Sequence, residues 1–158
     1  MFYDKIIKKS IISIIIIIAV ILLFFLNNYS NEILFKSSYT NASWGHVDYG
    51  YIIYKNGIIQ QYDNSDEKHI KNIKKDKITI LELIQLKILA NKVEDKLSTY
   101  DSRLHMLDSG VSEKIIYSKT LSKFVVLYQN GYDYAKNTSE AGEEILNLTE
   151  KLYNKYLK

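Results

Sequence analysis

Three histidines are the first residues to weigh for chemistry: His46, His69 and His105. None stands in an HxH, HxxxH or HExxH spacing, so no metal-ligand pattern is formed. Asp48 follows His46 by two residues, and on a strand i and i+2 share a face. A small enzyme of the cell envelope using His46 with Asp48, or using His105, is therefore one alternative reading. Asp63, Ser65 and Glu67 alternate as calcium-loop ligands do, but the loop glycine and the distal bidentate glutamate are missing. Glu140, Glu143 and Glu144 cluster where a helix begins, and the helix dipole accounts for them. There is no cysteine, hence no thiol nucleophile, disulfide or thiolate metal site. No GxSxG, SxxK, P-loop or GxGxxG is present. The expectation is a protein that is not an enzyme and that uses no cofactor and no metal.

Tyrosine is the residue type that stands out. There are 14, and several fall in strand-like runs: Tyr49, Tyr51, Tyr54 and Tyr62, then Tyr117, Tyr128, Tyr132 and Tyr134. Tyr offers rigid contact area with a polar tip and is enriched at interfaces. With a period of two, Tyr49 pairs with Tyr51 and Tyr132 with Tyr134, so these four are the candidate binding residues. They are expected on a sheet face that helices leave open. A second alternative is an inhibitor or immunity-type protein, secreted or anchored, whose 101–110 loop enters a partner's cleft.

The elements that must position these residues begin with an apolar run. From Ile11 to Leu26, 15 of 16 residues are apolar, with Lys5, Lys8 and Lys9 in front and Asn27, Asn28, Ser30 and Asn31 behind. At about 1.5 Å per residue the run covers roughly 24 Å, close to the ~30 Å hydrocarbon core once Ile6, Ile7 and snorkelling lysines are added. Residues 1–10 thus read as a basic cytoplasmic flank and 11–26 as a single-pass transmembrane anchor. Residues after about 30 would then lie outside, by the positive-inside rule. Cleavage near Ser30, giving a secreted protein, is the alternative, although Asn28 is poorly suited to the position three before the cut.

Residues 27–43 read as a polar tether and 44–158 as one extracytoplasmic α+β domain. Beyond residue 26 the chain holds 18 basic and 17 acidic residues (21 − 3 and 18 − 1), too balanced for a nucleic-acid partner. The lipid bilayer and an envelope protein or peptide are the partners expected. The absence of proline, where about 5% is usual, and the abundance of Ile, Lys, Asn and Tyr fit an AT-rich genome.

Within the domain, strands are expected over 49–54 and 58–62 around Asn56-Gly57, over 114–119 and 123–129, and over 132–135 after Asn130-Gly131. The Asn-Gly pairs predict type I′ hairpins. Thr79 and Glu82 form a capping box, with Ile78 and Leu83 as its hydrophobic staple. The helix they open carries Leu83, Leu86, Ala90, Val93 and Leu97 on one face, and its apolar first half is expected to be deeply buried. Asn137 or Ser139 caps a last helix with Ala141, Ile145, Leu148, Leu152 and Tyr156 as its inner stripe. The fold class expected is an antiparallel sheet with two main helices. The five-residue matches Ile53–Gly57 and Leu127–Gly131, 74 positions apart, raise a tandem ββα arrangement.

Overall fold

The computed structural model describes residues 31–43, 45–100, 110–131 and 134–158. The apolar run 11–26 lies outside them, as do Trp44, His105 and Tyr132. Among the described residues no helix is long and apolar enough to cross a membrane.

Eight strands and two helices make up the described fold. They are β1 (Ile33–Asn41), β2 (Val47–Tyr54), β3 (Ile58–Asp63), β4 (Lys75–Lys77), α1 (Ile80–Lys92), β5 (Leu97–Tyr100), β6 (Val111–Ser118), β7 (Lys123–Asn130), β8 (Tyr134–Asn137) and α2 (Glu140–Tyr156). The strands form one sheet in the order β4-β3-β2-β1-β6-β7-β8-β5, every neighbouring pair antiparallel. The α+β class is as expected from the sequence.

The main departure is β1. The segment read as a tether supplies a central strand, paired from Lys36↔Ile52 to Asn41↔Val47 on one side and from Phe35↔Ile116 to Thr40↔Val111 on the other. Its sequence hides it. Phe35, Ser37 and Tyr39 alternate on the helix-bearing side, but only Phe35 reaches the core, so only Phe35 must be apolar. Ser37 and Tyr39 face the part of the sheet that the helices leave uncovered.

The core lies between the sheet and the two helices. Phe35, Ile53, Ile59, Ile116, Val125 and Leu127 from the sheet meet Leu83, Leu86 and Leu89 of α1 and Ile145 and Leu152 of α2. The α1 capping box is present: Thr79 Oγ1 accepts from the Glu82 N–H, and Glu82 Oε2 accepts from the Thr79 N–H at 2.8 Å. Helix α1 stops at Lys92, with Val93 extended as its C-cap, so Leu97 belongs to β5 instead. The first half of α1 is also less enclosed than its composition predicts. Ile80, Leu81 and Ile88 are exposed, because only one side of the helix meets the core. Ser139 caps α2, accepting from the Gly142 N–H, and Asn137 holds that cap from behind.

The first Asn-Gly hairpin is not of type I′. Only Gly57 has positive φ (+84°), and its N–H donates to Tyr54 O at 2.9 Å. Lys55 and Asn56 thus make a type I turn followed by a left-handed glycine, the usual three-residue hairpin loop. Gly131 has no positive φ, so the second Asn-Gly pair is not a matching turn.

Candidate functional site

Beyond the core, the sheet continues uncovered beside α2 and forms a groove of about 450 Å³. Its floor is the outer part of β1, β2 and β6: Ser37, Tyr39, Tyr49, Tyr51, Ser112 and Lys114. Tyr153 of α2 and Tyr128 of β7 stand at its walls, with Gln61 and Ile70 beyond β2.

Strand alternation positions these side chains. Tyr49, Tyr51 and Ile53 point to one side of β2, opposite Tyr39, Ser37 and Phe35 of β1. Moving outward along the strand, Ile53 is core, Tyr51 is the boundary and Tyr49 is groove. Tyr51 is only 7% exposed, its ring stacks 4.9 Å from Tyr153, and its hydroxyl donates to Thr149 O at 3.3 Å. Burial pushes its phenol pKa well above the ordinary tyrosine value, against the smaller lowering effect of that hydrogen bond. Tyr51 is therefore neutral and structural. Tyr49 is half-buried, flanked by the rings of Tyr39 at 5.4 Å and His69 at 5.5 Å.

Among the described residues, Tyr49 and Tyr51 are the candidate tyrosines that line the groove, on the helix-bearing side. Tyr134 does not line it, although the register Tyr128↔Lys136 puts it on the side of the sheet that Tyr128 occupies. Its ring meets Tyr128 edge-on at 5.7 Å. Tyr132 lies outside the described residues. The sequence reading missed Tyr39 and Tyr153, and it named Tyr128 as a strand tyrosine without making it a binding candidate. Tyr39 went unrecognised with its strand, and Tyr153 is brought in only by the packing of α2 across the sheet.

Gly50 belongs to the groove's construction. A Cβ there would come within 2.0 Å of Ser37 O, so only glycine lets β1 and β2 approach as they do.

The loop after β3 is tied to the far end of the groove. Asp63 accepts N–H groups from Ser65, His69 and Ile70 at 3.0, 2.7 and 2.7 Å. The Ile70 bond, ahead of those from Ser65 and His69, holds the Asp63 carboxyl well below the usual range, although burial opposes it. The carboxylate thus organises its own loop, and the Asp63–Ser65–Glu67 alternation is a turn scaffold in this structure. The loop also closes over the start of β2. His46 N–H donates to Asp66 Oδ2, Asp48 N–H to Ser65 Oγ, and Asn64 Nδ2 to Asp48 Oδ2. His46 and Asp48 are placed by this latch through hydrogen bonds to Asn64, Ser65 and Asp66. On the helix-free side, the Tyr62 hydroxyl is buried beside the Asp48 carboxylate and Ser38. Burial first, and then the Asp48 charge, push the Tyr62 phenol pKa far up.

Among the described residues no group of three or more His, Asp or Glu side chains could hold a metal ion. His105 and the 101–109 segment of the loop lie outside the described residues.

The groove is concave and aromatic, and its charged lining residues are Lys114 and Glu113. Such a surface can hold a side chain or short segment by ring contact, with the Ser37 and Ser112 hydroxyls and the Lys114 ammonium to orient polar groups. Compared with protein-family models, with curated proteins and with solved structures, the chain finds no match in any of the three, so its geometry alone must suggest what it does.

Proposed function

We propose that the chain is a membrane-anchored extracytoplasmic binding protein, not an enzyme, that takes a peptide segment or loop of another envelope protein into the tyrosine-lined groove. The observation that carries this reading is the groove itself. It is a sheet surface left bare by both helices, with Tyr39, Tyr49, Tyr128 and Tyr153 around Ser37 and Ser112. Tyr49 and Tyr128 replace Tyr51, Tyr132 and Tyr134 at the centre of the proposal, since Tyr51 serves the core, Tyr134 does not line the groove and Tyr132 lies outside the described residues. The non-enzymatic part draws support from His46 and Asp48, whose hydrogen bonds secure a loop.

The anchor proposal rests on residues 11–26 and their lysine flank. The mirrored order of β1-β2-β3 and β6-β7-β8 about the central β1·β6 pair, each followed by a helix, supports a tandem origin for the two halves.

The test replaces Tyr49 and Tyr128 with Ser in the full chain and asks what co-purifies from solubilised envelopes. The expected result is an unchanged melting profile with loss of the partner that the unaltered chain retains. Retention of that partner would set the groove aside. Because the chain lacks cysteine, Lys151→Cys on the exposed side of α2 gives a clean topology probe. It should react with an impermeant maleimide in intact cells, and protection until lysis would reverse the proposed orientation.

A further inference from the structure

Helix α1 crosses the end of the sheet at which the chain comes in. Near its start, Ile78 N–H donates to Gly57 O in the β2–β3 turn at 3.0 Å. Near its end, Thr120 Oγ1 in the β6–β7 turn donates to Asn91 O at 3.0 Å. The first described residues are fastened to this same end: Asn56 Nδ2 donates to Asn31 Oδ1 at 2.9 Å and Lys55 N–H to Glu32 O at 2.8 Å.

The side of α1 turned away from the core carries an apolar stripe, with Gln85 exposed beside it. Leu81 is 78% exposed, Ile80 53% and Ile88 48%, with Ile84 half-buried between them. Spacings of three and four put Leu81, Ile84 and Ile88 in one stripe. Lys77 precedes the helix and Lys92 ends it, both exposed. Beside the helix is a cavity of about 410 Å³, where Lys55, Lys87 and Lys119 meet Glu32, Tyr117 and Asn91. Lys55 pairs with Glu32 at 2.5 Å and lies 4.0 Å from the centre of the Tyr117 ring. Three ammonium groups thus line the space with one carboxylate. Burial, and then the Lys55 charge, lower the Lys87 pKa.

The chain length commits this surface to one occupant. Asn31 follows the last residue of the apolar run, Leu26, by five positions, a span of at most about 18 Å. If 11–26 crosses the membrane, the α1 end of the domain is held near the bilayer surface.

We propose that the exposed apolar stripe of α1 docks on the bilayer beside the anchor, with a lipid phosphodiester headgroup taken into the Lys55–Lys87–Lys119 cavity. This rests on the reading of 11–26 as an anchor. The apolar stripe with flanking lysines is the arrangement of helices that lie in the membrane interface. The domain then stands on its α1 end and holds the groove away from the membrane. Since β1 has nine residues, its far end lies about 26 Å from its start at about 3.3 Å per step.

The test uses the full chain in phospholipid nanodiscs containing phosphatidylglycerol, with a nitroxide lipid as quencher. Leu81→Cys, Ile88→Cys and Glu67→Cys each carry an environment-sensitive fluorophore, Glu67 being in the loop latched to the opposite end of the sheet. Quenching at positions 81 and 88 several-fold above that at 67 is expected. It should fall at least twofold when Lys87→Gln and Lys119→Gln are combined. Equal quenching at all three positions in a chain that resists carbonate extraction overturns the docking and leaves the anchor standing. Release by carbonate overturns the anchor, and the docking with it.

Discussion

Helices α1 and α2 press on the same core and differ on their outer sides. The exposed residues of α2 are all polar, among them Glu140, Glu143, Glu144, Asn147, Lys151, Asn154 and Lys155. Helix α1 exposes Ile80, Leu81 and Ile88. Both helices have caps and buried stripes, so α1 needs no outer apolar residues to fold. The difference separates residues that hold the domain together from residues free for another surface. In α2 the inner stripe exhausts the apolar side chains. In α1 a second set remains, and it sits where the chain comes in.

The sharpest separation lies within α1 itself. Leu86 has no exposure and Leu81 is largely exposed, one and a half turns apart. Leu86→Ala is expected to cost about 2–5 kcal/mol, from lost transfer energy and the cavity left behind. Ile145→Ala in α2 should fall in the same range. Chemical denaturation of each variant gives the comparison, and a loss under about 1 kcal/mol at Leu86 would deny α1 its share of the core.

Next in size is Asn137, buried at the start of α2. Its Nδ2 donates to Glu94 O at 2.8 Å, and its Oδ1 accepts from the Ser139 N–H at 3.0 Å and from the Ser139 hydroxyl at 2.6 Å. Asn137→Ala leaves these groups unpaired and should cost about 2 kcal/mol. Asn137→Asp keeps the acceptor and loses the donor to Glu94. It should therefore recover the α2 cap but not the link to the α1–β5 connection, which amide exchange near Glu94 and Gly142 would resolve.

Glu82 joins the two helices. It accepts from Lys155 at 2.8 Å and from the Tyr156 hydroxyl at 2.7 Å as well as from Thr79. Burial alone would raise its pKa, but the hydrogen bonds from Lys155, Tyr156 and Thr79 outweigh it and hold the carboxyl at about 2, against an ordinary value of 4.5. A depressed carboxyl stabilises the fold fully above its unfolded pKa, and that stability is lost as pH falls toward the folded value. With allowance for solvent screening, the contribution is about 1–2 kcal/mol, fading between about pH 4.5 and 2. Glu82→Gln should be less stable at pH 6 and lose less between pH 6 and pH 3. A parallel acid loss in both proteins would show that the bridge between the helices contributes little.

The smallest expected effect completes the contrast. Leu81→Ser on the outer side of α1 should shift stability by no more than about 0.5 kcal/mol, as surface substitutions do. A loss like that of Leu86→Ala would return Leu81 to the core and remove the distinction between the helices.

What the sequence made legible follows the same division. Positions whose chemistry is local could be read directly: the Thr79–Glu82 box, the Ser139 cap, the stripe from Ala141 to Tyr156, and the strands around Gly57. Positions whose neighbours come from afar could not. The outer half of β1 carries Ser37 and Thr40 because it leaves the core, so no apolar alternation marks it as central. Strand β4, Lys75-Asp76-Lys77, is wholly exposed and offers no pattern at all. The groove suffered similarly. Tyr49 was visible by strand period, but the side it faces depends on which side of the sheet α2 covers, and only Tyr51's contacts with Thr149 and Tyr153 reveal that.

The central claim is that the groove, and not the opposite side of the sheet, receives the partner. A photo-crosslinking amino acid at position 49 places the probe in the groove, and one at position 52, which alternates with Tyr51 and Ile53 along β2, places it on the other side, both in the full chain in its native membrane. The account predicts a discrete crosslinked product from position 49 that position 52 does not give. The same product from position 52, with none from 49, would contradict it.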